Sequence, residues 1–322
     1  MNVTLIDEEL GNPFRRILPV ESGRHTNGRR YEDPSTFRLV MSDLLCSLGL
    51  SASQTTALEI GIGEQRGPSR ALAELGATVN TLDISPNDEI HTDLWKKRVD
   101  LESLVGTPVS ELTFRWFGRV TDFQEPILGG ITDDGVYHYV GDAAFVNHPL
   151  GAFATKKCDI IYFWGSINGA GHNFSLGAYS RQNPTCSLEE RFAKPISLLA
   201  PGGYLLAVSG FMNRCGCPGL EPDNIPRFNQ SLLDVALSTG THSERRVSDL
   251  IVYGLSKPFA FDYLHKEGRG EEWSHRPFTE EGISLALGAP KVPDARKDLL
   301  SPDQLASLDQ IGIIDAVAVR YE

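Results

Sequence analysis

The sequence predicts an α/β fold: a seven-stranded, mostly parallel sheet with helices on both faces, an N-terminal helical arm, and an insertion before the last strand. Three observations support this. Short, nearly continuous apolar segments alternate with segments of helical periodicity, which is typical of parallel strands covered on both faces. The chain has 322 residues, enough to bury a substantial core. Hydrophobic residues make up 41% and charged residues 22%, as in ordinary globular proteins.

The N-terminal part predicts an arm followed by a helix. Residues 1–30 are polar and show no sustained period. A helix then begins with Asp33 as a capping residue and Pro34 at its first position, and Gly49 ends it. One apolar stripe gives this helix a buried face: Phe37, Val40, Met41, Leu44, Leu45 and Leu48.

The remaining elements follow in alternation. A helix is expected between Gly67 and Gly76, and another from the capping box Ser187–Glu190 toward Leu199. Further helices are expected at 228–237 and after a second capping box, Ser301 with Gln304. The predicted strands are 57–60, 78–84, 137–140, 159–164, 204–209, 249–255 and 316–320. The predicted division of the chain is an arm and helix at 1–50, a core at 51–256, an insertion or lid at 257–311, and a final strand at 312–322.

A glycine-rich loop joins the first predicted core strand to the following helix. Gly61 and Gly63 in this loop let the backbone approach a ligand closely, and the helix N-terminus adds a positive dipole end. Asp83 ends the next strand, about 20 residues after Gly61, where a carboxylate can accept both hydroxyls of a ribose. The spacing therefore predicts a nucleoside site.

Two details distinguish this loop from a dinucleotide site. Its glycines read G-x-G-x-x-x-G, whereas G-x-G-x-x-G seats a pyrophosphate. Glu59, two residues before Gly61, suits the ammonium end of a methionine moiety and would repel a diphosphate. These details favour a sulfonium nucleoside, although an NAD(P)-dependent oxidoreductase stays open as an alternative.

In the order of its motifs, the sequence resembles the class I S-adenosylmethionine-dependent methyltransferases, whose sheet is Rossmann-like, over residues 55–256 and a last strand at 316–320. Glu59-Ile-Gly61-Ile-Gly63 is similar to the family's first motif, and Gly141-Asp142-Ala143 to its adenine contact. Leu199-Ala-Pro-Gly-Gly-Tyr-Leu205 is similar to the turn before strand five. The resemblance implies S-adenosylmethionine as the cofactor and these cofactor-binding residues: Glu59, Gly61, Gly63, Gln65, Asp83, Ile84, Asp142, Ala143, Trp164 and Gly165.

The acceptor pocket of such a fold normally lies beyond the fourth core strand. The glycine-rich segment 164–174 follows that strand here. His172 is the best-placed candidate for a general base, because its unperturbed pKa lies near neutrality, although a structural histidine is an equal alternative. His138 and His148 are weaker candidates. The expected substrate-binding residues are Asn168, Phe174 and Tyr179.

Motifs of other methyltransferase subclasses are missing from the sequence. There is no Asn/Asp-Pro-Pro-aromatic turn after strand four, no Pro-Cys nucleophile, and no acidic pair at Ser166 and Ser209 to hold a catalytic metal. The sequence therefore favours metal-independent O- or N-methylation of a small molecule. Non-methylating chemistry at the same nucleoside site and a partner subunit without catalysis remain alternatives.

The charge balance also favours a small-molecule acceptor. The formal net charge of −12 repels phosphate backbones, so we expect no nucleic-acid partner. The N-terminus lacks the basic, apolar pattern of a signal peptide, and no apolar stretch is long enough to span a bilayer. We therefore expect a cytoplasmic enzyme with no bound metal and no membrane partner, and consider a homodimer as a candidate assembly.

Overall fold

A computed structural model gives the architecture of the chain. It describes residues 1–6, 11–14, 25–26, 34–61, 67–83, 128–133, 135–140, 153, 155–164, 194–208, 245–255, 262–267, 272–277, 300–309 and 313–322. These residues form one large sheet, one small sheet and the helices that pack on the large sheet. None of the helices in these ranges is both long and apolar enough to cross a membrane.

The elements are numbered in chain order. The helices are α1 (Pro34–Ser47), α2 (Gly67–Glu74) and α3 (Pro302–Asp309). The strands are β1 (Asn2–Ile6), β2 (His25–Thr26), β3 (Thr56–Ile60), β4 (Thr78–Asp83), β5 (Leu128–Asp133), β6 (Val136–Val140), β7 (Cys158–Trp164), β8 (Leu199–Val208), β9 (Val247–Leu255), β10 (Asp262–Glu267), β11 (Glu272–Pro277) and β12 (Ile313–Tyr321).

The large sheet has the strand order β1-β9-β12-β8-β7-β3-β4-β6-β5. The pairs from β8 to β6 are all parallel, as is β1 with β9. Strand β12 runs antiparallel to both β8 and β9, and β5 runs antiparallel to β6. The predicted α/β class with a mostly parallel sheet is therefore confirmed.

Both faces of the sheet are buried, because successive strand residues point to opposite sides. On one face Ile160 and Tyr162 join the stripe of α1 and the apolar side of α2. On the other face Ile161 and Phe163 pack with residues that include Leu308 of α3. Helices thus cover both sides of the sheet, as the near-continuous apolar strands predict.

Glycines end α1 and α2 as the sequence predicts. Gly49 has φ +67° and follows α1, and the Leu50 N–H donates to the Leu45 carbonyl at 2.8 Å. Gly76 has φ +99°, and the Ala77 N–H donates to the Leu72 carbonyl at 3.1 Å. The Gly49 N–H also donates to the Cys46 carbonyl, and the Gly76 N–H to the Ala73 carbonyl. Each helix therefore ends in a Schellman motif, in which the left-handed residue that closes the helix favours glycine.

The predicted capping box begins α3. The Ser301 hydroxyl accepts from the Gln304 N–H at 3.2 Å, and the Gln304 side-chain oxygen accepts from the Ser301 N–H at 2.9 Å. These reciprocal bonds satisfy two donors at the helix start. The Gln304 amide also donates to the Met1 carbonyl at 3.0 Å, which ties α3 to the first residue of the chain.

Gly67 begins α2 at a point of close approach to α1. A Cβ built on Gly67 would lie 2.5 Å from Cδ2 and Cε2 of Phe37. The Phe37 ring is 2% exposed and lies against Trp164, with ring centroids 5.6 Å apart, so it has little room to move. A side chain at this position must therefore push the two helices apart.

We expect Gly67→Ala to destabilise the protein by about 1–3 kcal/mol, the usual cost of overpacking a core. Chemical denaturation of the variant measures this loss. The double variant Gly67→Ala, Phe37→Leu should lose less than the sum of the two single variants, because the smaller side chain relieves the clash. Strictly additive losses would contradict the clash.

The large sheet has nine described strands, not the predicted seven, because β1 and β5 extend its two edges. Residues 2–6, which we assigned to an aperiodic arm, form β1 and pair in register with β9. Val3 and Leu5 alternate with polar residues and pack against the core, but a five-residue alternation is too short to stand out in a polar segment. Strand β5 carries Gly129 and Gly130, which weaken any strand signal.

A small second sheet has the order β10-β11-β2 and is antiparallel throughout. It joins His25–Thr26 of the predicted arm to the hairpin β10–β11 of the predicted insertion. The sequence pattern predicts no strands in these two segments. Such a pairing connects positions almost 250 residues apart in sequence, and so no local pattern could reveal it.

Two helix predictions meet the described ranges only in part. The helix expected to run toward Leu199 is helical at 194–196 and has ended before β8 begins at that residue. The expected helix at 228–237 lies outside the described residues.

The Pro201-Gly202-Gly203 turn lies inside β8, where the pairing with β7 skips from Leu199 to Tyr204. Gly202 adopts φ +76° there.

Candidate functional site

The candidate site lies where the strand order reverses. Following the parallel strands in chain order, β3, β4 and β6 extend the sheet one way, and β7 and β8 extend it the other way from β3. The strand that follows β3 in the parallel series therefore lies on one side of the β3–β7 pair, and the strand that follows β7 lies on the other side. In open α/β sheets, ligands bind in a crevice at the carboxyl ends of the strands where the order reverses in this way.

The sheet also departs from the order of a dinucleotide-binding domain. In that fold a sixth parallel strand follows the fifth directly, giving the order 3-2-1-4-5-6. Here the antiparallel strand β12 lies between β8 and β9. The half that carries the candidate site, from β6 to β8, retains the order 3-2-1-4-5.

Gly61 directly follows β3 and turns the chain at the crevice. It adopts φ +77°, in the left-handed region that favours glycine. Its N–H donates to the Leu82 carbonyl of β4 at 2.8 Å, so the turn is fixed to the neighbouring strand. A side chain at Gly61 would be strained in this conformation.

Glu59 is held on the α1–α2 face of β3, one residue before the strand ends. It is 1% exposed, and its Oε2 atom accepts from the Tyr162 hydroxyl at 3.0 Å and from the Ser69 hydroxyl. The Ser69 and Tyr162 hydroxyls lie 3.0 Å apart. Side chains from β3, α2 and β7 thus fix one carboxylate at the switch point. We call Glu59, Ser69 and Tyr162 the buried triad, and only long-range packing brings its members together.

Burial and the neighbouring Glu59 carboxylate raise the pKa of Tyr162 well above its ordinary value. The phenol is therefore neutral at physiological pH and acts as a donor to Glu59. Both hydroxyls therefore donate to the Glu59 carboxylate without carrying a charge of their own. Glu59 is predicted from the sequence, whereas its partners Ser69 and Tyr162 are not, because they lie 10 and 103 residues away in the chain.

Asp83 ends β4 beside the crevice. Its backbone pairs with Val140, the last residue of β6. Strands β3 and β4 are parallel neighbours, so Asp83 lies at the same carboxyl edge as Gly61. This is the edge on which a nucleoside site requires the ribose-binding acid.

Trp164 ends β7 on the face that carries Glu59. It is 6% exposed and lies between the rings of Phe14 and Phe37, with centroid distances of 5.8 and 5.6 Å. Its indole nitrogen has no hydrogen-bond partner in the described part of the chain. An unsatisfied buried donor typically costs about 1–3 kcal/mol, which marks this edge as a place that favours an acceptor atom.

The segment 11–14 forms one wall of this region. Phe14 is fully buried, and its ring lies 5.1 Å from that of Tyr253 on β9 as well as against Trp164. Asn12 is 3% exposed, and its side-chain oxygen accepts from the Phe14 N–H at 3.0 Å. The predicted arm is therefore anchored on the carboxyl half of the sheet.

His138 is buried within the sheet, away from any open position. It is 2% exposed, and its Nδ1 lies 2.7 Å from the Thr81 hydroxyl of the neighbouring strand. This setting favours the structural interpretation over the catalytic one.

The structure brings together Glu59, Gly61, Trp164 and the backbone of Asp83. The other predicted positions lie outside the described residues. For the cofactor these are Gly63, Gln65, Ile84, Asp142, Ala143 and Gly165. For catalysis and the acceptor they are His172, Asn168, Phe174 and Tyr179, and the weaker candidate His148 lies outside as well.

Comparison with known proteins gives structural similarity alone. No family model and no curated protein matches the sequence. A provisionally assigned sarcosine dimethylglycine methyltransferase from Galdieria sulphuraria is similar at 11% identity and a TM-score of 0.35, over 88% of this chain and 84% of that one. A phosphoethanolamine N-methyltransferase from Haemonchus contortus, solved with S-adenosylhomocysteine, is similar at 14% identity and a TM-score of 0.36, over 87% and 51%.

A third similar structure is a provisionally assigned hemolysin from Streptococcus thermophilus. It has 13% identity and a TM-score of 0.35, over 83% of this chain and 71% of that one. The names of these proteins differ, and the levels of similarity are low throughout. We therefore derive the chemistry from this chain's own residues.

Proposed function

We propose that this chain is a class I methyltransferase that binds S-adenosylmethionine and methylates a small-molecule acceptor at oxygen or nitrogen without a metal. The observation that carries the proposal is the buried Glu59 carboxylate beside Gly61 at the switch point. A ligand bound at this turn would lie near a buried carboxylate. That charge suits a cationic end group and disfavours a diphosphate.

The residues at this edge fit the cofactor. Glu59 suits the ammonium of the methionine end, and Asp83, one strand away, suits the ribose hydroxyls. Gly61 gives the close backbone approach between them, and the Trp164 N–H supplies a donor that has no described partner. Gly63, Gln65, Ile84, Asp142, Ala143 and Gly165 complete the proposed cofactor set.

The bound cofactor supplies a methyl group that is activated by its sulfonium. The chain has to hold an acceptor atom in line with that group, exclude water and, where the acceptor carries a proton, remove it. The acceptor side lies beyond β7, where Asn168, Phe174 and Tyr179 are the proposed contacts and His172 the proposed base. The net charge of −12 favours a small acceptor over a nucleic acid.

Transfer of a labelled methyl group tests this function. The purified chain is incubated with methyl-labelled S-adenosylmethionine and pools of small amines, small hydroxyl compounds and RNA, with the Glu59→Gln variant as a control. The proposal expects label in a small-molecule pool with the native chain alone. Label only in RNA would contradict the small-molecule acceptor, and cofactor consumption without label transfer would indicate non-methylating chemistry.

We expect His172→Ala to lower turnover while the affinity for S-adenosylmethionine stays unchanged. General bases typically contribute a factor of roughly 100 to 10,000 in rate. Steady-state rates across pH, paired with binding isotherms, measure both effects. An unchanged rate with an unchanged pH profile would show that His172 is not the base.

A further inference from the structure

The indole nitrogen of Trp164 is the one buried side-chain nitrogen or oxygen atom in the described ranges that has no hydrogen-bond partner. A buried donor without an acceptor loses its water and gains nothing in return. A ligand that accepts a hydrogen bond would satisfy this donor, and the position of Trp164 in the sheet indicates which ligand that is.

Trp164 lies beside the start of the glycine-rich loop. Glu59 of β3 pairs with Tyr162 of β7 in the parallel register. Two residues farther along both strands come Gly61 and Trp164, at the same carboxyl edge. Because side chains alternate along a strand, Trp164 projects from the same face as Tyr162, whose hydroxyl donates to Glu59.

The indole ring is fixed in place. Phe14 packs on it at a centroid distance of 5.8 Å and an interplanar angle of 51°, and Phe37 at 5.6 Å and 68°. Phe14 is itself fully buried and Phe37 is 2% exposed. The direction of the N–H is therefore set before a ligand arrives, which lowers the entropy lost on binding.

The methionine end of the cofactor carries an ammonium and a carboxylate, and these two groups need different partners at this edge. Its ammonium is attracted by the Glu59 carboxylate, whereas its own carboxylate is repelled by Glu59 and needs a donor. Trp164 is a donor with no acceptor capacity, so it suits a carboxylate. We propose that the Trp164 indole N–H donates a hydrogen bond to the carboxylate of the amino-acid end of the bound cofactor. This inference rests on the proposed function.

Two probes separate this contact from the rest of the site. S-adenosylhomocysteine carries the amino-acid end, and 5′-methylthioadenosine is the same thioether nucleoside without it. In calorimetric titrations we expect Trp164→Phe to weaken S-adenosylhomocysteine binding about tenfold, as for one hydrogen bond to a charged group. The affinity for 5′-methylthioadenosine should stay unchanged, because the phenyl ring retains the packing with Phe14 and Phe37.

Tyr253→Phe is the matched control within the same aromatic cluster. The Tyr253 hydroxyl lies 2.9 Å from the Ser47 hydroxyl, so its hydrogen bond is internal to the protein. We expect this variant to lower the thermal midpoint and to bind both probes with native affinity.

The possible results distinguish a failure of the Trp164 contact from a failure of the proposed function. If the native chain binds both probes and Trp164→Phe weakens both equally or neither, the carboxylate contact is overturned and the nucleoside site stands. If the native chain binds neither probe, the proposed function is overturned and this inference with it.

Discussion

Glu59→Gln should weaken S-adenosylmethionine binding by roughly 100-fold, about 3 kcal/mol, the upper range for a hydrogen bond to a charged group. The amide keeps an oxygen that can accept from Ser69 and Tyr162, so the buried triad loses its charge and retains an acceptor for both hydroxyls. The ammonium end of the cofactor loses the counter-charge of a side chain that is 1% exposed, where solvent screens little.

Titration calorimetry with S-adenosylmethionine and 5′-methylthioadenosine measures the Glu59→Gln effect. The loss should be confined to S-adenosylmethionine, because 5′-methylthioadenosine has no ammonium for Glu59 to bind. Glu74→Gln is the matched control, since Glu74 is exposed on α2 and far along the helix from Ser69. Equal affinities in native chain and Glu59→Gln would show that Glu59 is a structural acid that only orders Ser69 and Tyr162.

Asp83→Ala should weaken binding of both S-adenosylmethionine and 5′-methylthioadenosine by about 1.5–3 kcal/mol, the range for a charged hydrogen bond. Both compounds carry the ribose that Asp83, at the carboxyl end of β4, is proposed to hold. Thr78→Ala is the control, because Thr78 is exposed at the opposite end of the same strand. An unchanged affinity for 5′-methylthioadenosine in Asp83→Ala would contradict the ribose assignment.

Glu59→Gln and Asp83→Ala together also test the direction in which the cofactor lies across the two strands. Glu59 lies one residue before the end of β3, and Asp83 ends the parallel neighbour β4, so the amino-acid end and the ribose of one ligand should span these two strands. A ligand bound in the reverse direction would exchange the two patterns of loss. The pattern across the two probes therefore reports the orientation of the cofactor.

Local signals in the sequence predicted the helix ends and the core strands well. Gly49 and Gly76 end helices in Schellman motifs, and Ser301 with Gln304 begins one, as their residue types predict. Each of these features depends on bonds within a few residues. The strand Asp-Ile-Ile-Tyr-Phe-Trp is apolar on both faces, and it proved to be the central strand β7.

Features that depend on distant pairing were missed. Strands β1 and β5 lie at the sheet edges, where one partner suffices and the sequence pattern is short or interrupted by glycine. The small sheet joins His25–Thr26 to a hairpin near residue 272, and neither segment has a strong strand period by itself. Tertiary contact, which one sequence does not reveal, decides such elements.

The residues of the candidate site show the same contrast between local and distant features. The motif spacing predicted Glu59, Gly61 and Asp83 as site residues, because the strand–loop–helix–strand unit is local. The partners of Glu59 were missed, because Tyr162 is on a strand 103 residues away and reads as an ordinary core aromatic. The unsatisfied N–H of Trp164 was equally hidden, since satisfaction of a buried donor depends on every element packed around it.

Isothermal titration of the purified chain with S-adenosylmethionine and S-adenosylhomocysteine, with NADH and NADPH as controls, tests whether the switch-point crevice binds a sulfur nucleoside. We expect micromolar binding of both sulfur nucleosides and no binding of the nicotinamide cofactors, because the Glu59 carboxylate repels a diphosphate. Binding of a nicotinamide cofactor alone, or of neither class, would contradict the assignment of the switch-point crevice to S-adenosylmethionine.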